Sequence, residues 1–261
     1  MSNVQNSVPQ VRSVGKAMTL IETLLAHRTA MSLLELSTAT GYPKSTTHAL
    51  LSTLREYGMI EQRPNGQYFL GIRLFECGCA VSAAWDISNL IRPYLERLST
   101  VTGASAFISS LDGDSTISLD QCAGKAGMQV VPEIGCRLPL HATSQGKLLL
   151  SRFSEDEVRK RLSVNGMQAY TPHTITNPEL FLSALDVIRH NGYAIEDGEY
   201  KVGLRSVSAP VRDCTGQVKY ALGVVGLFRR IQAEDFQDAI TQVCQLAAQL
   251  SAALGWRGRT I

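Results

Sequence analysis

The sequence predicts an α+β protein: an N-terminal winged helix-turn-helix, a linker helix, and a C-terminal domain of antiparallel sheet flanked by helices. Three observations carry this. A capped short helix and a proline-started helix flank Gly41-Tyr42. An Asn65-Gly66 turn then joins two short apolar runs, a hairpin signal. Beyond residue 100, strand-like runs joined by tight turns alternate with amphipathic segments, which favours an antiparallel sheet carrying helices.

Taken in order, residues 1–11 are polar and are expected to be loose. A first helix is predicted over Val14–His27, with Ala17, Leu20, Ile21, Leu24 and Leu25 on one face. Ser32-Leu33-Leu34-Glu35 is a capping box, since the Ser hydroxyl and the Glu carboxylate can satisfy each other's end amides. The short helix it opens runs to Thr40 and breaks at Gly41-Tyr42. Pro43 suits the first turn of a third helix, where its missing N–H costs nothing. Leu50, Leu51 and Leu54 give that helix a buried side, and Gly58 ends it. Strands at Met59–Arg63 and Gln67–Leu70 form the wing.

A linker helix is expected from Ile72 to Ser88. Next come a helix over Ile87–Val101 and strands at Ala104–Leu111, Thr116–Cys122, Gly127–Val131, Arg137–His141, Tyr193–Asp197, Ser206–Val211 and Val218–Phe228. Helices are predicted at Ser144–Arg152, Glu155–Leu162, Pro178–Asn191 and Ala233–Leu254. The expected domains are 1–71, the linker 72–88, and 89–261.

The chain has 261 residues, more than one ordinary domain of about 100–200 requires. An apolar fraction of 44% with 18% charged residues is globular rather than disordered. Net charge is only +2, which excludes a strongly basic architectural DNA binder. Residues 1–75 carry seven Lys/Arg against four Glu, a balance of +3, so the rest carries −1. A mildly basic head on a neutral body fits DNA binding weakly. Six cysteines include no C-x-x-C, and no histidine pair has zinc-finger spacing, so no metal or cofactor is expected. The start lacks a signal-peptide pattern and no apolar run reaches the ~20 residues of a membrane span, so a cytoplasmic protein with no membrane partner is expected.

In a helix-turn-helix the second helix of the motif enters the major groove and its N-terminal residues meet base edges. Here these are Lys44, Ser45, Thr46, Thr47 and His48. The hydroxyls and imidazole can bond phosphates or bases, while Lys44 supplies charge. Arg63 and Asn65 on the wing can reach the backbone or the minor groove. The plainer alternative is a solvated helix start. His48 has no partner at i±4 and is not expected to bind metal.

The segment Gly41-Tyr42-Pro43-Lys44-Ser45-Thr46-Thr47-His48, then Tyr68-Phe69-Leu70-Gly71, resembles the DNA-binding domain of IclR-type regulators. Leu138-Pro139-Leu140-His141-Ala142-Thr143-Ser144-Gln145-Gly146-Lys147 resembles that family's effector-domain signature. So do Tyr170–Thr176 and Gly203–Val211. The resemblance implies a GAF-like effector domain, a small organic acid effector, a homodimer or homotetramer, double-stranded operator DNA as partner, and control of catabolic operons. Two departures stand out: Ala49 where the family commonly has Arg on the reading helix, and Ser206 where it commonly has Cys.

Thr143 and Ser144 stand at a strand-to-helix junction, where free amides and a partial positive charge favour a carboxylate. The resemblance places effector contacts at Ser144 and Gln145, with Glu196, Ser206, Gly223 and Val225 at other pocket positions. Relatives often carry small or apolar residues at the 144–145 pair, so a more polar effector, a hydroxylated or aromatic acid, is expected here. Each position also has a plainer reading: Ser144 as an N-cap, Glu196 as a solvated strand end, Ser206 as a sheet residue bonded to backbone, Gly223 as a site of close backbone approach. Arg205 is expected to pair with Glu199 rather than with a ligand.

Gly146-Lys147 is not a P-loop, because His141 and Leu148 stand where that motif needs Gly and Ser/Thr. An enzyme built on the C-terminal domain is the competing function. His141, Asp120, Glu196, Glu199 and Cys122 carry suitable groups, but no motif organises them, so no catalytic residues are assigned.

Overall fold

In a computed structural model, the described residues are 11–27, 29–84, 87–124 and 133–258. The chain divides into two compact units after residue 86.

The first unit holds α1 (Arg12–His27), α2 (Leu33–Thr40), α3 (Lys44–Glu56), β1 (Ile60–Gln62), β2 (Tyr68–Leu70) and α4 (Ile72–Ala84). The capping box forms as its residues require: Ser32 accepts from Glu35 N at 3.3 Å, and Ser32 N donates to Glu35 Oε2 at 2.6 Å. Pro43 lies one position outside α3 as its N-cap, rather than in the first turn, with an extended ψ of 142°. The residue beside a helix start must leave helical dihedrals, and a proline's fixed φ permits that equally well.

β1 and β2 pair antiparallel, Ile60 opposite Leu70. Their connection is a three-residue turn. Gly66 N donates to Arg63 O and Arg63 N to Gln67 O, with Gly66 at φ 82°. This is a type I turn closed by a left-handed residue, one of the common hairpin solutions. Met31 adds an isolated bridge to Tyr68. Leu20, Leu24, Leu36, Leu51 and Ile60 are fully buried together, each worth about 1.5–3 kcal/mol over exposure.

The second unit contains α5 (Ile87–Thr102), β3 (Ser105–Asp112), β4 (Ser115–Cys122), β5 (Arg137–Pro139), α6 (Ser144–Leu150), α7 (Glu155–Asn165), α8 (Pro178–Asn191), β6 (Ala194–Asp197), β7 (Arg205–Arg212), β8 (Val218–Gly226) and α9 (Glu234–Ala253). Six strands form one antiparallel sheet in the order β5-β4-β3-β8-β7-β6. The expected strand at 127–131 lies outside the described residues. β5 ends at Pro139, two residues before the expected His141, since Pro139 has no N–H to extend the ladder.

The sheet separates two layers. On one face α5 and α9 bury Leu95, Leu98, Phe236 and Leu250 against Ala106, Ile108, Val207, Leu222 and Val224. On the other, α6, α7 and α8 pack Leu149, Val158, Phe181 and Leu185 over Ala194 and Ala221. Because successive strand residues alternate faces, the partners of Val207 and Val224 along the same strands, Ser206, Ser208, Gly223 and Val225, all face the α6 side.

Candidate functional site

Two places carry chemistry. The first is the start of α3. Lys44, Ser45, His48 and Ala49 are exposed and Thr46 is half-buried. Thr47 differs. It is fully buried, and its hydroxyl donates to Pro43 O at 3.1 Å. Positions 47, 51 and 54 fall on one helical stripe, so Thr47 belongs to the side that holds Leu51. The expectation that Thr47 reads bases is corrected on this ground. At the wing, Arg63 stacks over the Phe69 ring at 5.1 Å. Asn65 bonds inward: its Oδ1 accepts from Gln67 N at 3.1 Å and its Nδ2 donates to Gln67 Oε1 at 2.7 Å.

The second place lies on the α6 face of the sheet. Register sets Glu196, Ser206, Val225 and Ser105 side by side across β6, β7, β8 and β3. The next row is Ala194, Ser208, Gly223 and Phe107. Gly223 must be glycine: an added Cβ would lie 2.3 Å from Val207 O and 2.6 Å from the Phe107 ring. That is the close-approach reading of Gly223. Above the first row sits a cavity of about 40 Å³. Gln145, Glu196, Ser206 and Val225 line it, together with Phe107 and Tyr200. Ser144 stands one hydrogen bond behind.

α6 begins over this floor. Its N-cap is Thr143, not Ser144: Thr143 Oγ1 accepts from Gly146 N at 3.2 Å and donates to Pro139 O at 2.8 Å. Ser144 is thereby the first helical residue, with its hydroxyl turned to the sheet. It lies 2.8 Å from both Ser208 Oγ and Ser206 Oγ, and Ser206 Oγ lies 3.0 Å from Glu196 Oε2. Each hydroxyl has one proton, so the chain has a sense. It runs toward Glu196 when that group is ionised and away from it when protonated. Gly146 explains the Gly-Lys pair that mimics a P-loop: a Cβ there would meet Leu140 O at 2.3 Å.

Glu196 is not a solvated strand end; it is buried. Burial pushes its carboxyl above the ordinary range, and the nearby Glu199 charge adds to this. Bonds from Tyr200 N, Ser206 and Glu199 N pull the other way without winning. Arg205 does not pair with Glu199. Its Nε lies 2.6 Å from Asp197 Oδ1, off the N–H axis, and its Nη1 donates to Phe228 O. Glu199 instead pairs with Lys147, Nζ to Oε1 at 2.5 Å, both side chains buried. The backbone of Gly198 and Glu199 is pinned by the hydroxyls of Thr171 and Thr174, which gives the Tyr170–Thr176 segment a structural task.

Ser208, Lys147, Tyr200 and Phe107 were not assigned to the site by sequence. Ser208 was legible, since it alternates with Ser206 along one strand. Lys147 carried a weaker signal, a lone cation running directly into three leucines. Of the groups weighed for catalysis, Glu196 and Glu199 are neighbours, but His141, Asp120 and Cys122 do not join them. Asp120 pairs with Arg92 at 3.2 Å and Cys122 packs on the α5 face, opposite Glu196. His141 bonds Gln168 O at 2.8 Å. Among the described residues there is no cluster of His, Cys, Asp or Glu fit to hold a metal, and no helix long and apolar enough to cross a membrane.

Comparison with known proteins finds a family match in each part of the chain. Residues 79–252 match the bacterial transcriptional regulator IclR C-terminal model, and residues 13–64 match the IclR helix-turn-helix domain. The chain is 33% identical over 250 residues to the HTH-type transcriptional regulator XynR of Escherichia coli K12, covering 95% of this chain and 99% of that one. It is 29% identical to the transcriptional repressor IclR of the same organism, over 94% of this chain and 91% of that one. Its fold is similar, at a TM-score of 0.81 and 23% identity, to an IclR homolog from Microbacterium hydrocarbonoxydans complexed with 4-hydroxybenzoate, covering 93% of this chain and 98% of that one.

Proposed function

Because the chain belongs to the IclR family of bacterial transcriptional regulators, we propose that it binds operator DNA under the control of a small organic acid. Residues 1–71 bind the DNA, 72–88 form the linker, and 89–261 hold the effector. The protein acts in the cytoplasm as a homodimer or homotetramer on a catabolic operon. Lys44, Ser45, Thr46 and His48, with Arg63 on the wing, meet the DNA; Asn65 shapes the wing turn.

The observation that carries the effector reading is the buried hydroxyl chain from Ser208 through Ser144 and Ser206 to Glu196, beside the cavity that Gln145 lines. Buried polar groups cost free energy unless partnered, and this row gives a polar ligand both donors and acceptors. The first amides of α6 have no intrahelical acceptor and suit the carboxylate. The ligand named for the Microbacterium protein supports a small acid as the class. The effector stabilises one quaternary arrangement and so changes the spacing of paired DNA-binding units.

The experiment is a thermal-shift panel of hydroxylated, aromatic and plain apolar acids, followed by operator binding with each hit. A hydroxylated or aromatic acid is expected to raise Tm and to change DNA affinity. Stabilisation by apolar acids alone would refute the polar effector, and an operator affinity blind to every hit would refute the coupling.

A further inference from the structure

A second and larger cavity, about 370 Å³, borders the first. Both are lined by Leu138 and Tyr200. The inner one holds only about three waters, too little for a whole hydroxylated or aromatic acid. We propose that Tyr200 and Leu138 divide one elongated effector site. The inner cavity takes the carboxylate, and the outer chamber takes the hydroxyl-bearing tail of an open-chain acid. The proposal rests on the effector reading above.

The two halves of the partition differ in freedom. Leu138 is buried on β5, opposite Thr116 in the ladder, where close packing limits its rotation. Tyr200 is half-buried. Its backbone N is held by Glu196 Oε1 at 3.1 Å, while its ring meets the edge of Tyr170 at 5.1 Å and the Lys201 ammonium at 6.0 Å. Rotating that ring joins the chambers and leaves the backbone bond in place. Glu196 is thus tied both to the floor of the inner cavity and to the residue that walls it off.

The lining of the outer chamber sets the chemistry of the tail. Asp114, Ser115, Asn165 and the buried His141 mix donors and acceptors, which suits hydroxyls rather than alkyl carbons. Arg137 pairs with Asp112, and Arg161 with Glu157 and Gly113 O, while Arg161 Nε is buried with no hydrogen-bond partner among the described residues. That Nε offers an oxygen of the tail one further donor. The rings of Tyr170 and Tyr200 offer apolar faces to the C–H edges of a polyhydroxylated chain.

The test compares glycolate, gluconate and hexanoate by calorimetry on the full chain. Gluconate is expected to bind about tenfold or more tighter than glycolate, and hexanoate no tighter than glycolate. Gln168→Trp places a bulky ring on an exposed lining residue whose backbone carbonyl still holds His141. It is expected to erase the gluconate advantage and to leave glycolate unchanged; Asn165→Trp, at the end of α7, is expected to do the same. Equal affinity for glycolate and gluconate, a matching gain with hexanoate, or an advantage that survives both tryptophans overturns the divided site alone. If neither hydroxy acid binds, the hydroxy-acid effector of the proposed function falls with it.

Discussion

Lys147 Nζ lies 2.5 Å from Glu199 Oε1, joining the one lysine of α6 to the loop that roofs the cavity. The second Glu199 oxygen is buried with no hydrogen-bond partner among the described residues. Removing one partner of a buried pair strands the other charge, at about 3–5 kcal/mol, whereas apolar replacement of both is often neutral. Lys147→Met is expected to lower unfolding free energy by that amount. Lys147→Met combined with Glu199→Met is expected to recover most of it. Urea melts of the three proteins check this; a double variant no more stable than the single one sinks the account.

Glu196 predicts a pH dependence. Burial raises its folded-state pKa above the ordinary value of 4.5. As pH rises from that value, the unfolded chain releases the proton first, so the folded state loses stability until its own raised pKa is passed. The stabilising contribution is therefore complete below about 4.5 and lost going upward. Glu196→Gln removes this loss. The variant is expected to gain on the wild type between acid and neutral pH, read as the difference in urea midpoints across that range. A difference independent of pH would show that burial of the charge is not what governs this carboxyl.

On the DNA side, Lys44→Ala is expected to weaken binding on all sequences and to reduce the salt slope by about one. An unchanged slope would take Lys44 out of the phosphate contacts. Thr47→Ala has a different expectation. Its hydroxyl is spent on Pro43 O, so the loss is about 1 kcal/mol of stability with base preference unaltered. A selection experiment on randomised operators separates the two; relaxed preference in Thr47→Ala would overturn the buried assignment.

Gly223→Ala introduces a Cβ 2.3 Å from a backbone oxygen on β7, which no side-chain rotation relieves. Overpacking of this kind costs about 1–3 kcal/mol. Thermal melting is expected to fall, with the effector response impaired because Ser208 shares the crowded spot.

Local signals were readable from sequence and non-local ones were not. The Ser32–Glu35 box, the proline beside α3 and the hairpin at Asn65-Gly66 depend on neighbours a few residues apart, and each element formed, with Pro43 one position outside its expected place. The burial of Thr47 was also readable, since it shares a stripe with Leu51. The cavity was only partly legible. Glu196 meets Ser206 ten residues along the chain, but Ser144 meets Ser206 through a 62-residue separation set by sheet order. Helical or strand periodicity cannot supply that pairing. Lys147 with Glu199 was missed for the same reason, and Arg205 was matched to the wrong carboxylate because Asp197, its cross-strand partner, is chosen by register.

The alternation along β7 and β8 has a consequence for how such a protein changes over generations. Val207 and Val224 belong to the oily layer under α5 and α9, while Ser206, Ser208 and Val225 face the other way. The two sets share a backbone but almost no side-chain neighbours, so substitutions on one face leave the other's packing intact. Ligand preference can drift through point changes at 206, 208 and 225 without disturbing the oily layer. A one-residue insertion in either strand has no such freedom, for it would turn serines into the oil and valines into the chamber at once.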